Sequence, residues 1–443
     1  MISNLINIIL IVLFICIGML LFKKDKKHFI FYLFIFFMQL WTLVSSAYIE
    51  TGIYITEQDR YSYSNNATKM LFLYNLIFFL GIYFINKIRW NNKSFVQVKN
   101  PESNGDVGKL NKRILLLLLI CVILISCSLA INSLLTKFTY GDAINKFNFW
   151  EHSIFPFLLL FHKQMYLIAI ISGIIFTVFK DRKKIRILSI IAIVALVINL
   201  IVQGHKFTTI AILMISFYIP IYVRRDTINR VKISKKLIMK LIIPLMGLAL
   251  FIFLSINEYS KDLGSAKAAW DQIIYRSLGL QGHVWWGIYD LTTSSLFTID
   301  YYQNFIQEII EIINPTAEHL TVGMRELMIT LSPSRAYRFI QDGVNFTMGY
   351  PAIIIYNFGI YLGIIIQFVF GCVYGGLIKN FEKNIRSNSI LLNLIPIAIY
   401  SKIFFSSYDS FIMGNMYEFF SLKNLLLIII LMAYRIIIRV IKV

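Results

Sequence analysis

The sequence predicts an all-α polytopic membrane protein with about eleven transmembrane helices, and three observations predict it. The 443 residues are 58% hydrophobic and 15% charged, with a mean hydropathy of +0.70, whereas soluble globular chains run at about 45–50% apolar and about 25% charged. The apolar residues fall in runs long enough to cross about 30 Å of hydrocarbon. The connectors between runs alternate in charge. No polar segment is long enough for a separate core, so residues 1–443 read as a single integral membrane domain.

The runs lie near residues 4–22, 29–49, 70–86, 114–134, 163–179, 187–203, 207–223, 237–256, 350–378, 390–408 and 419–441. The first lacks a basic leader and a small-residue cleavage site, and so reads as a retained helix and not a signal peptide. Connectors 23–28, 87–113, 180–186, 224–240, 379–389 and the C-terminal tail hold 29 of the 43 Lys and Arg but only six acids, leaving one side at +23 and the other at −3. By the positive-inside rule the basic set is cytoplasmic, with the N-terminus outside and the C-terminus inside. Orientation and anionic lipid account for the pI of about 9.6 without nucleic acid. Cys16, Cys121, Cys127 and Cys372 all sit within apolar runs, so neither a disulfide framework nor a thiolate metal site is expected.

Most connectors are short, and the longest is outward. The largest, residues 257–348 between the eighth and ninth runs, is too long to be structureless in a compact protein. In "SAKAAWDQIIYRSLGLQGH", Ser265 suits an N-cap, and Gln272, Arg276 and His283 form one polar stripe if the helix continues through Gly279 and Gly282. In "IDYYQNFIQEIIEIINP", Tyr302, Phe305, Ile306, Ile309 and Ile313 share a face, Gln303, Gln307, Glu308 and Glu311 occupy others, and Asn314–Pro315 stops the helix. That pattern fits a helix lying in the membrane interface. Gly359 with Gly363 and Gly371 with Gly375 predict close helix packing in the ninth run.

The chemistry-bearing residues are weighed against plainer roles. The turn Gln203, Gly204, His205, Lys206 leaves Lys206 at a helix N-terminus, where backbone N–H groups favour an anion; the alternative is a lysine reaching the headgroups. Lys402 lies about 18 Å into its run, at a cost of roughly 2.5–3.5 kcal/mol unless it meets a partner or cavity, and Asp409 shares its face about 10 Å away. His283 has Arg276, Gln281, Trp285 and Trp286 beside it, aromatic faces and polar groups that suit a sugar, or else an interfacial aromatic belt. His283 and Glu258 are candidates for a base. Arg325, Arg335 and Arg338 form a cationic group suited to a pyrophosphate, or a solvated charged loop. No Asp-x-Asp, His-x-x-x-His or Glu-x-x-His occurs, and neither metal nor cofactor is expected.

On the long late outward loop, the tight turn "QGHKFTTI", the stretch "YRSLGLQGHVWW" and "NFTMGYPA" leading into a glycine-rich run, the chain resembles the O-antigen polymerases of the Wzy type. Lys206 stands where that family commonly has an arginine. The resemblance implies a GT-C-like, metal-independent glycosyltransferase of the bacterial inner membrane, acting at the periplasmic face. Its substrates would be undecaprenyl-pyrophosphate-linked oligosaccharide repeat units, and its partners a chain-length regulator and a flippase. In that reading His283, Glu258 and Arg276 are catalytic, Lys206, Arg325, Arg335 and Arg338 hold pyrophosphate, and Gln281, Trp285 and Trp286 face the sugar. His205, Lys402 and Asp409 are further candidates. An O-antigen ligase shares the layout, and a polysaccharide flippase or transporter is the rival from another class.

Overall fold

The structure, a computed structural model, describes residues 2–88, 105–141, 144, 148–205, 207–224, 256, 260, 264–294, 299–316, 319–341, 343–387 and 390–441. These residues form an all-α, multi-pass membrane protein with a single two-stranded hairpin, β1 (Tyr54–Ile55) against β2 (Arg60–Tyr61), among the described residues. The helices of the first half are α1 (Ile2–Lys24), α2 (Lys26–Ile49), α3 (Ala67–Lys87), α4 (Gly105–Tyr140), α5 (Met165–Val178), α6 (Lys183–Val202) and α7 (Phe207–Val223). In the second half come α8 (Ala266–Ile274), α9 (His283–Thr293), α10 (Tyr301–Ile313), α11 (Gly323–Leu331) and α12 (Ala336–Gln341), followed by α13 (Ala352–Arg386), α14 (Ile390–Met413), α15 (Met416–Phe420) and α16 (Leu422–Ile441).

Helices occupy ten of the eleven apolar runs; the run at 237–256 lies outside the described residues. Among the described residues, seven helices are long and apolar enough to cross a membrane, or eight when Pro156–His162 and Met165–Val178, which meet at 55°, count as one bent span. Two helices fall short of the expectation for physical reasons. α7 is apolar but short, and α14 carries Asn393, Lys402, Asp409 and several serines along its length.

The described ends of four basic connectors gather at one end of the bundle. Asn86 donates to Asp25 at 3.1 Å, His28 pairs with Asp25 and lies 3.9 Å from Glu382, Lys379 donates to the Ile88 carbonyl, and Arg224 donates to the carbonyls of Ile385 and Ser387. The described part of the 257–348 loop folds over the other end as a helical cap, reaching the hairpin between α2 and α3. Charge sorting along the sequence thus becomes spatial sorting.

The main core joins α1, α2, α3, α9, α11, α13 and α14, and a second core joins α4 to α7. The contact between α3 and α13 is made possible by the absence of a side chain at Gly371, where a Cβ would lie 2.2 Å from the Phe78 carbonyl oxygen. Gly359 does something different. At φ 71° and ψ 176° it breaks α13, so residues 352–358 form a separate turn set against Tyr301 of α10.

The helix from Ser265 does not continue through the glycines. Ser265 caps α8 by accepting from the Ala268 N–H at 3.1 Å, but Tyr275–Gly279 widens into a π-turn before α9 begins at His283. Trp41 of α2 donates to the Ser277 carbonyl at 2.6 Å and Ser45 to the Gly279 carbonyl at 3.0 Å, fixing carbonyls that a continuous helix would use internally. The expected stripe of Gln272, Arg276 and His283 is therefore broken. α10 has the expected boundaries, with the Asp300 carboxylate accepting from the Gln303 N–H at 3.0 Å.

Candidate functional site

A cluster of polar side chains lies where α10, α11, α15 and the first turn of α13 meet. α10 turns Glu308 and Glu311, 5% and 3% exposed, into the protein. Glu311 accepts from the Thr316 N–H at 2.9 Å and its hydroxyl at 3.0 Å, and pairs with His319 Nδ1. The His319 ring stacks on Tyr417 of α15, with centroids 5.2 Å apart. α11 starts where the Met324 N–H donates to Asn415 Oδ1 at 3.0 Å, a side-chain cap supplied by a distant segment. That start places Arg325 in the first turn, within electrostatic reach of the Tyr417 hydroxyl along with Glu308 and Glu311. Glu326 accepts from Tyr356 at 2.8 Å, and burial pushes its carboxyl up.

Glu308 is the unusual member. Both carboxylate oxygens are enclosed, with Asn357 and the backbone N–H groups of Gly323 and Tyr417 beside them. Burial pushes its carboxyl up to about 7, with a smaller push from Glu311. A carboxyl raised in this direction holds its proton more readily than an ordinary one and can both give and take it. Half-exposed His319 and Arg325 stand at the rim. Among the described residues no group of three or more His, Cys, Asp or Glu is arranged to hold a metal ion.

A second polar assembly locks the hairpin onto α9. Asp290 accepts from Arg60 Nη1 at 2.9 Å, from the Tyr63 hydroxyl and from Asn65 at 3.3 Å. Arg60 also lies 4.7 Å over the Trp286 ring, and Gln58 donates to the His283 carbonyl at 2.8 Å. Arg60→Ala leaves a buried carboxylate without its cation and is expected to cost about 1–3 kcal/mol. In detergent, the thermal midpoint of Arg60→Ala should fall, and adding Asp290→Asn should recover part of the loss.

The residues singled out in the sequence are distributed unevenly. Arg325 stands at the edge of the Glu308 cluster, near Tyr417. Arg335 donates to the Thr56 carbonyl and pairs with Asp59 at 3.1 Å, while Tyr275 accepts from the Thr56 N–H at 2.9 Å, so one hairpin residue joins Arg335 to the turn carrying exposed Arg276. Arg338 is exposed on α12. Gln281 accepts from Thr347 at 3.1 Å. Trp285 and Trp286 are fully buried and donate to the carbonyls of Ala67 and Tyr63, so they anchor the cap and offer no open face to a sugar.

His283 is likewise fully buried, edge-on to Phe346, with Nδ1 2.6 Å from the Leu280 carbonyl oxygen and Nε2 enclosed. Burial lowers its pKa and keeps the ring neutral, in a place a sugar hydroxyl does not reach in this arrangement. His205 belongs with the second core, its ring 6.0 Å from that of His162. Lys402 is half-buried in α14. Lys206, Glu258 and the Asp409 side chain lie outside the described residues.

Sequence reasoning assigned Glu308 and Glu311 to the outer surface of α10 and passed over Arg60 and Asp290. The i, i+3 spacing of the two acids gave a signal, because it sets them side by side. Nothing local says that their side faces inward. Residues 317–428 match a family described as a family of unknown function (DUF6418), a stretch that runs from the approach to α11 into α16 and includes His319, Arg325, Glu326, Tyr356 and Tyr417 but not α10. No curated protein and no solved structure matches the chain.

Proposed function

We propose that the chain is a GT-C-like membrane glycosyltransferase that extends undecaprenyl-pyrophosphate-linked oligosaccharide repeat units at the periplasmic face of a bacterial inner membrane, as O-antigen polymerases do. One observation carries the reading. A carboxyl raised toward neutral pH and an arginine stand around one tyrosine, Tyr417, in the cap, at the end of the bundle opposite the described basic connectors. Forming a glycosidic bond on a pyrophosphate donor requires a base for the acceptor hydroxyl and cations for the departing phosphates. In this reading Glu308, enclosed in this arrangement as His283 is, takes the proton once the cap opens to substrate, Arg325 faces the pyrophosphate, and Arg276, Arg335 and Arg338 line the approach. With the basic connectors cytoplasmic, the N-terminus is periplasmic and the C-terminus cytoplasmic.

The test is the surface polysaccharide of the native strain, displayed on a gel after deletion and complementation. Deletion is expected to leave a single capped repeat, the wild-type gene to restore the ladder, and Glu308→Gln to leave the single repeat with protein level unchanged. Free lipid-linked polymer in the deletion strain would make the protein a ligase, and loss of all outward glycan would make it a flippase. A full ladder from Glu308→Gln would remove Glu308 from the site.

A further inference from the structure

The two faces of α10 are arranged opposite to those of a helix between water and a protein core. Such a helix turns its apolar stripe inward and its charges outward. α10 buries Glu308 and Glu311 and exposes Tyr302 (77%), Ile313 (68%), Ile310 (45%) and Phe305 (38%). Water is a poor neighbour for that surface.

The surface is continuous with one already assigned to the membrane. Phe305 packs against Phe358 at 5.1 Å and Tyr301 lies over Gly359. Directly beyond the break at Gly359, α13 exposes Tyr361, Leu362 and Ile365 on the outside of a membrane-crossing helix. The outward face of α10 extends that lipid-facing surface, with tyrosines at the level where amphipathic rings sit at a bilayer boundary.

We infer that α10 lies within the headgroup and upper acyl region of one leaflet, its outer face among lipid chains and its inner face carrying the buried Glu308 and Glu311. The acids then stand at the level of the leaflet, where a ligand that reaches them is an amphiphile held in the membrane with its polar head at the surface. The inference rests on the faces of α10 and stands whether or not a glycan is transferred.

The test uses the full chain with Cys16, Cys121, Cys127 and Cys372 replaced by serine, reconstituted in phosphatidylcholine vesicles and labelled with bimane at Tyr302→Cys or, separately, Ile313→Cys. Phosphatidylcholine carrying a nitroxide near its headgroup is expected to quench both positions several-fold more than aqueous iodide does. Iodide dominating at both positions would place the face in water and overturn the inference. Protection from both quenchers would also overturn it, by showing that a second copy or another protein covers the face.

Discussion

Gly371→Val is expected to leave little folded protein in the membrane. The position faces backbone, with a Cβ built there 2.2 Å from the Phe78 carbonyl oxygen and 3.3 Å from the Gly81 Cα. Neither atom belongs to a flexible side chain, so relief requires α3 and α13 to separate. Overpacking of a rigid interior costs about 1–3 kcal/mol, and occasionally more, and here it also pulls Phe78 from Tyr350, Phe370, Tyr374 and Phe411. Fluorescence-detected gel filtration of detergent extracts measures the outcome. Gly376→Val lies on the same helix with nothing within 4 Å of the added Cβ, and it should elute like wild type. Equal behaviour of the two variants would remove this interface as the reason for the glycine.

The second large effect concerns acidity. Glu308 binds its proton more tightly in the folded chain, its carboxyl being pushed from the ordinary 4.5 to about 7. Its contribution to stability is therefore fully present below about pH 4.5 and is lost as pH rises toward about 7, because ionising the group in place strands a charge. The shift corresponds to something on the order of 3 kcal/mol. Thermal midpoints in detergent should fall between pH 5 and pH 8 in the wild type, and the fall should be shallower in Glu308→Gln, which keeps the shape without the charge. Parallel pH profiles would show that Glu308 titrates as an ordinary carboxyl.

The apolar helices were legible, though not how many of them cross, because hydrocarbon imposes a length and an apolarity that survive in sequence without knowledge of neighbours. The boundaries of α10 and the cap at Ser265 were legible for the same local reason. What was not legible depends on contacts between distant segments. Trp285 and Trp286 look alike in sequence whether they face a sugar or a core, and only their bonds to Ala67 and Tyr63 decide. The inward turn of Glu308 is set by α11, α13 and α15, none of which can be deduced from α10. Arg325 was identifiable as a cation near the ninth run, but not as a neighbour of Tyr417.

The joint at Thr56 bears on how the molecule is made. Its N–H and carbonyl meet Tyr275 and Arg335, 219 and 279 residues downstream, so the ribbon between α2 and α3 is made long before either partner is synthesised. Closure of the cap is therefore a late event in biogenesis, and nascent chains released before Arg335 emerges would present an unfinished lid to quality-control proteases.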